Sequence, residues 1–162
     1  MKRAKKQNRS DIEERVQEFS RLCRKNDLRV TNQRLEIFRA LLETVGHPTV
    51  EDVFHQIRTI LPNLSIDTVY RTLTLFENHG LITRVQCLSD KGRFDPNLEN
   101  HHHFICVRCK KIEDFYWPEF TDYSIPDEAM KLGMIQMKKV ELRGICNECR
   151  RKGRNAHQKK HS

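Results

Sequence analysis

The stretch Ser65-Ile66-Asp67-Thr68-Val69-Tyr70-Arg71-Thr72-Leu73-Thr74-Leu75-Phe76-Glu77-Asn78-His79-Gly80 has a helix start, a helix stop and one apolar stripe between them. Ser65 supplies a side-chain oxygen that can accept from the first free backbone N–H groups, and Gly80 can take the left-handed conformation that ends a helix. Ile66, Val69, Leu73 and Phe76 recur every three to four residues, so they share a buried face. Asp67, Arg71 and Thr74 lie opposite, with Tyr70 on the border. A helix of this kind packs one side inward and presents a polar side for reading something else.

Upstream, three further helices are expected. Asp11 can cap the first, with Ile12, Val16, Phe19, Leu22 and Cys23 inward, which makes Cys23 a core residue. Thr31 begins the second, with Leu35, Phe38, Leu41, Leu42 and Val45 on one stripe and Gly46 as the stop. His47-Pro48 is an extended link, because the residue before proline is pushed out of the helical region. Thr49 caps the third, with Val50, Val53, Phe54, Ile57 and Ile60 inward, and Pro62 ends it. The third and fourth helices, joined by a short turn, make a helix-turn-helix. Residues 81–95 continue as a β-hairpin around Ser-Asp-Lys-Gly, giving a winged helix.

Such a unit places its last helix in the DNA major groove and its wing on the backbone, although helix-turn-helix units also dock proteins. Arg71 can read guanine or hold phosphate, and Tyr70 can contact phosphate or a thymine methyl. Arg84, Lys91 and Arg93 on the wing are candidate phosphate contacts, a solvated face being the alternative. His79 complements the helix dipole. Cys87 and His55 have no partner legible in the sequence.

Charge supports this only at the ends. The net charge is +8, but residues 1–10 carry +5 and residues 150–162 carry +6, which leaves −3 for everything between. The body is not a generally basic particle. The two tails are expected to be disordered, serving either as salt-sensitive phosphate contacts or as solubilising ends. With 37% hydrophobic and 32% charged residues and no long apolar run, no membrane span is expected. No secretory leader is legible before Ile12, so the expected setting is a reduced cytoplasm.

Asp95-Pro96-Asn97-Leu98-Glu99-Asn100 reads as a hinge, rich in turn formers. Beyond it the pattern changes to strands at 101–107, 112–117 and about 135–142, with a short helix near Asp127–Leu132. In a strand, His101 and His103 share a face while His102 points away, so His101-x-His103 forms a two-toothed metal claw; a solvated patch is the alternative. Cys106-x-x-Cys109 follows directly, and Cys146-x-x-Cys149 ends 40 residues later. Two such knuckles suit a closed tetrahedral zinc site, and in a reduced compartment metal is favoured over disulfides. A region of about 50 residues is small for independent stability. Zinc and pairing with a second copy would relieve that.

From about Leu28 to Cys149 the chain resembles the ferric uptake regulator (Fur) family, most closely its peroxide-responsive branch. The resemblance is carried by Arg29-Val-Thr-Asn-Gln-Arg34, His47-Pro48-Thr49, Ser65-Ile-Asp-Thr-Val-Tyr-Arg-Thr-Leu73, Gly80-Leu81, Arg93-Phe94-Asp95, His101-His102-His103 and both Cys-x-x-Cys pairs. It implies an α+β fold: an N-terminal winged helix-turn-helix domain followed by a small α/β dimerisation domain with a four-cysteine zinc site. The implied boundaries are a basic disordered tail at 1–10, the winged-helix DNA-binding domain at 11–95, a hinge at 96–100, the dimerisation and metal-binding domain at 101–150, and a basic tail at 151–162.

The resemblance further implies a homodimeric cytoplasmic repressor on a palindromic operator in double-stranded DNA, without enzymatic turnover. Cys106, Cys109, Cys146 and Cys149 would hold structural Zn(II). His47, Asp95, His101, His103 and Asp114 would hold regulatory Fe(II) or Mn(II), a nitrogen and carboxylate set that suits those ions. Hydrogen peroxide would oxidise a ligand histidine, His47 or His101, and so release the iron. Asp114 stands where iron-sensing members usually carry glutamate, and no histidine lies between Phe104 and Ala156 to complete the additional site of iron regulators. The long basic C-terminus departs from the family pattern, and His157 and His161 have no role in it.

Three other readings fit parts of the sequence. An iron- or zinc-responsive repressor of metal uptake genes uses the same ligand types. A non-haem iron oxygenase could be built on two histidines and a carboxylate, but it leaves the winged helix unexplained. A zinc-binding protein-interaction module would show no salt-dependent DNA binding.

Overall fold

The computed structural model describes residues 8–85 and 92–158. The chain divides between Leu98 and Glu99 into two compact units. The N-terminal unit holds four helices, α1 (Arg9–Lys25), α2 (Asn32–Glu43), α3 (Val50–Ile57) and α4 (Ile66–Asn78), followed by a two-stranded antiparallel sheet of β1 (Thr83–Val85) and β2 (Arg93–Asp95). That is the expected winged helix. Thr31, Thr49 and Ser65 each accept from the backbone N–H three residues on, and Thr49 with Asp52 closes a full capping box. At the end of α4, Gly80 takes φ +65° while Gly80 N–H donates to Glu77 and Leu81 N–H to Phe76, the paired bonds that finish a helix on a left-handed residue.

The core follows the stripes. Phe19 stacks on Phe38 with ring centroids 3.9 Å apart, and Phe76 meets Phe19 edge-on at 4.7 Å, which ties α1, α2 and α4 together. Ile37, Leu41, Val53, Ile57, Val69, Leu73 and Phe94 complete the cluster. Because Phe76 is fully buried against two other rings, Phe76→Ala is expected to cost about 3–5 kcal/mol in chemical denaturation. A loss below about 1 kcal/mol would show that the aromatic contacts do not hold the unit.

Some local expectations fail for a common reason. α1 is capped by Asn8, not Asp11, so Asp11 lies in its first turn. Val45, expected inward, is 74% exposed, and Ile60 and Ile66 are also exposed. Each lies at or beyond a helix end, where the helical period no longer sets side-chain direction. Lys91 and Cys87 lie outside the described residues.

In the C-terminal unit, β3 (His102–Cys106) is the middle strand of a three-stranded sheet ordered β4-β3-β5. β4 (Ile112–Phe115) runs antiparallel to it, and β5 (Glu141–Gly144) runs parallel. Two short helices, α5 (Pro118–Asp122) and α6 (Asp127–Met130), lie between β4 and β5. The third strand thus starts at Glu141, not near residue 135. The apolar residues that prompted the earlier start, Met134, Ile135 and Met137, are exposed outside any strand. α7 (Asn147–Gln158) carries helix into the segment read as a basic tail. Among the described residues no helix is long and apolar enough to cross a membrane.

Candidate metal centres

The first centre is built by the sheet of the C-terminal unit. β3 ends at Cys106, and the chain reverses into β4 through a knuckle in which Lys110 N–H donates to Cys106 O and Cys106 N–H to Lys111 O. Lys110 takes φ +60° to make the turn. The parallel register sets Cys106 beside Gly144, so the chain leaving β5 reaches Cys146 next to the first knuckle. Cys146 N–H then points at Cys106 Sγ (3.3 Å), and Cys149 N–H at Cys146 Sγ (3.5 Å). Arg108 fastens the second knuckle by donating to Cys149 O. Gly153 leaves room for it, since an added Cβ would sit 2.9 Å from Arg108 Nη1.

All four sulfurs lie within 4.8 Å of one another, and Cys109 Sγ is 3.8 Å from Cys146 Sγ. Tetrahedral zinc with Zn–S bonds of about 2.3 Å requires sulfurs about 3.8 Å apart, so the donors fit that ion. Their acidities point the same way. Backbone N–H groups, that of Cys146 foremost, pull the Cys106 thiol down to about 6, while the neighbouring cysteine side chains, Cys146 first, push Cys149 up to about 12. Four thiolates at this spacing repel one another, and a divalent cation removes that repulsion. Cys23 takes no part and is buried in the helical core.

The remaining ligand candidates fall into two groups, one in each unit. In the N-terminal unit the segment before α3 is sewn to the wing: Phe94 N–H donates to Pro48 O (2.9 Å) and Arg93 Nη1 to His47 O (2.8 Å). This brings His47 Nε2 to 3.6 Å from Asp95 Oδ2, both residues buried. In the C-terminal unit the strand alternation works as expected. His101 Nε2 and His103 Nε2 face each other at 2.9 Å, with Asp114 Oδ1 at 3.9 and 3.7 Å from them. Asp114 comes opposite His103 through the β3–β4 register. The contact from His101 Nδ1 to Glu99 O (2.8 Å) places a proton on Nδ1 and leaves the Nε2 lone pair facing inward, the tautomer a metal needs. Two metal–nitrogen bonds of about 2.1 Å at right angles span about 3.0 Å, so this pair also fits a cation.

His102 points the other way. Its Nδ1 accepts from Val140 N–H, and its ring packs against Phe115 and Phe120. Burial pushes its pKa below the ordinary imidazole value. It is a strut of the sheet, not a donor in the claw.

On the helix-turn-helix, Tyr70 and Arg71 are both exposed on α4, and Arg71 pairs with Asp67 one turn earlier at 2.8 Å. The wing arginines are more occupied. Arg84 clasps the Glu77 carboxylate at 2.7–3.1 Å and lies over the Phe94 ring, while Arg93 holds His47 O. Both brace the wing against the helices. One residue beside the His47–Asp95 group has no sequence signal: Arg15 of α1 donates to Pro96 O at 2.8 Å across 81 positions of chain.

Known proteins are similar to this chain in sequence and fold. Residues 25–143 match the ferric uptake regulator family. Among curated proteins, the peroxide-responsive repressor PerR of Staphylococcus epidermidis is 30% identical over 88% of this chain and 95% of its own. PerR of Staphylococcus aureus strain Mu50 is 31% identical over 87% and 95%. Among solved structures, the Helicobacter pylori ferric uptake regulator Fur superposes with TM-score 0.69 at 27% identity, covering 93% of this chain and 97% of that one. A match over most of the length and on the same fold places the chain in the ferric uptake regulator family of metal-responsive, DNA-binding transcriptional repressors, which are regulators and not enzymes.

Proposed function

We propose that this repressor senses hydrogen peroxide through oxidation of a histidine that holds regulatory Fe(II). The observation that carries the reading is the ligand chemistry: His47 with Asp95, and His101 with His103 and Asp114, offer three imidazoles and two carboxylates. That set suits Fe(II) or Mn(II) and leaves a position for an oxidant. The similarity to two PerR proteins supports it. One ion taken by both groups would join the winged helix, residues 11–95, to a dimerisation domain, residues 101–150, across a hinge at 96–100. In a homodimer this fixes the spacing of two α4 helices, so metal selects the form that matches a palindromic operator in double-stranded DNA.

Exposed apolar side chains in the C-terminal unit, among them Tyr123, Leu132 and Met134, supply the surface for pairing two copies. Cys106, Cys109, Cys146 and Cys149 hold structural zinc. Tyr70 and Arg71 enter the groove, and Lys91 meets the backbone from the wing. Arg84 and Arg93 serve the DNA by holding the wing in place. The basic ends add phosphate contacts, and the protein works in the cytoplasm.

Bound Fe(II) would supply an electron to break the peroxide O–O bond and take one back from the ring. Overall, one peroxide oxygen would replace the hydrogen on an imidazole carbon of His47 or His101, the displaced proton joining the other oxygen as water. The oxidised ring would be a poor ligand, so these residues would no longer hold the metal and repression would lift. With Mn(II) the same residues bind and order the protein without that oxidation.

An iron-responsive repressor is the second reading, favoured by the 0.69 superposition on Helicobacter pylori Fur. Peptide mass spectrometry after near-stoichiometric hydrogen peroxide separates the two. We expect one added oxygen on His47 or His101 in the Fe(II)-loaded dimer only, with DNA binding lost. Unmodified histidines with DNA binding retained would replace peroxide sensing by iron sensing.

A further inference from the structure

We infer that Arg15, on α1, is a positioning residue for the regulatory metal, acting through the peptide group between Pro96 and Asn97. This inference rests on the reading of Asp95 as a ligand. β2 ends at Asp95 because Pro96 has no N–H to continue the ladder. The next peptide, between Pro96 and Asn97, is trans and planar, so its C=O and N–H point in opposite directions from one rigid plate. Arg15 Nη2 donates to the carbonyl end at 2.8 Å. Asn97 N–H, at the other end, donates to Asp95 Oδ1, also at 2.8 Å. The guanidinium therefore sets the tilt of the plate, and the plate sets the rotation of the carboxylate.

The consequence falls on the other carboxylate oxygen. With Oδ1 held by Asn97, Oδ2 faces His47 Nε2 at 3.6 Å, close enough for both atoms to be ligands of one ion. Arg93 acts as a counterpart on the histidine side, since Arg93 Nη1 fixes His47 O. Each ligand of this pair is thus aligned by an arginine that grips backbone at or next to it. Arg15 is suited to the task because it lies half-buried in α1, one turn from the core residues Ile12 and Phe19, and so is anchored to the helical core. A charge-assisted bond from such an anchor resists rotation better than a neutral one.

The test is Mn(II) titration of the full-length, zinc-loaded protein, followed by the free-ion electron paramagnetic resonance signal. Arg15→Met keeps the aliphatic stem and removes the donors. It is expected to weaken Mn(II) binding about tenfold, as loss of a supporting hydrogen bond around a ligand does, with zinc content and thermal unfolding of the apo form unchanged. Arg15→Lys, which can still donate, is expected to recover part of that affinity. Arg15→Met with wild-type Mn(II) affinity, while Asp95→Ala loses it, overturns the role of Arg15 alone. Weakened binding that Lys does not recover, accompanied by a lowered melting temperature, reduces Arg15 to a stabiliser of the fold and also overturns it. If Asp95→Ala and His47→Ala themselves bind Mn(II) as wild type does, the ligand reading fails first and the inference falls with it.

Discussion

Replacing Cys106 with serine is expected to remove zinc and unfold the C-terminal unit, the largest single effect available in this protein. The reason is how little else holds that unit. Its buried apolar residues, among those described, are Ile105, Cys106, Ile112 and Cys146, and two of the four are cysteines of the cluster. The extended hydrophobic core belongs wholly to the N-terminal unit. Structural zinc in small domains contributes about 10–16 kcal/mol of apparent folding free energy, comparable to the whole stability of an ordinary domain. Serine at this position keeps the shape but not a thiolate, so it offers Cys146 N–H a neutral oxygen on a shorter bond in place of the sulfur. The measurement is zinc content per chain with far-ultraviolet circular dichroism and size-exclusion chromatography. A Cys106→Ser protein that keeps about one zinc and wild-type melting would remove the cluster from its structural role.

The parts of the molecule that were legible in sequence are those set by short-range chemistry. Thr31, Thr49 and Ser65 cap the helices they were expected to cap, since an oxygen reaching a backbone N–H three residues on needs no tertiary context. The two Cys-x-x-Cys knuckles converge, as the spacing of soft ligands requires. His101 and His103 share a face while His102 turns to the other, from strand alternation alone. What the sequence left hidden depends on long-range register. The start of β5 at Glu141 is fixed by parallel pairing with His103, and the apolar run before it mimics a strand in sequence but is exposed and outside the sheet. The contact from Arg15 to Pro96 and the clasp of Arg84 on Glu77 join residues whose types are common and whose separation carries no pattern. Arg84 on the wing reads as a phosphate contact in sequence, and the structure adds its pairing with the Glu77 carboxylate.

The second large effect concerns metal control of DNA affinity, and it distinguishes one shared ion from two independent sites. Asp95 lies in the N-terminal unit and His101 in the C-terminal unit. If one ion is held by both, Asp95→Ala and His101→Ala each break the same link. Either should lower the Mn(II)-dependent gain in affinity for an operator, selected from random-sequence DNA by the wild-type protein, by about 100-fold, or about 2.7 kcal/mol. The double variant should then be no worse than either single one, because a link can be cut only once. Independent sites predict additive losses instead, and that outcome would sink the bridging mechanism while leaving metal binding intact. Arg71→Ala supplies the contrast, since Arg71 is exposed on α4 and pairs locally with Asp67. It should weaken the operator complex by about 1–3 kcal/mol without changing Mn(II) affinity. A protein in which the loss from Arg71→Ala added fully to that from Asp95→Ala would have its groove contacts and its metal control on separate residues. In that case metal would act by bringing two α4 helices into register, not by touching the contacts each helix makes.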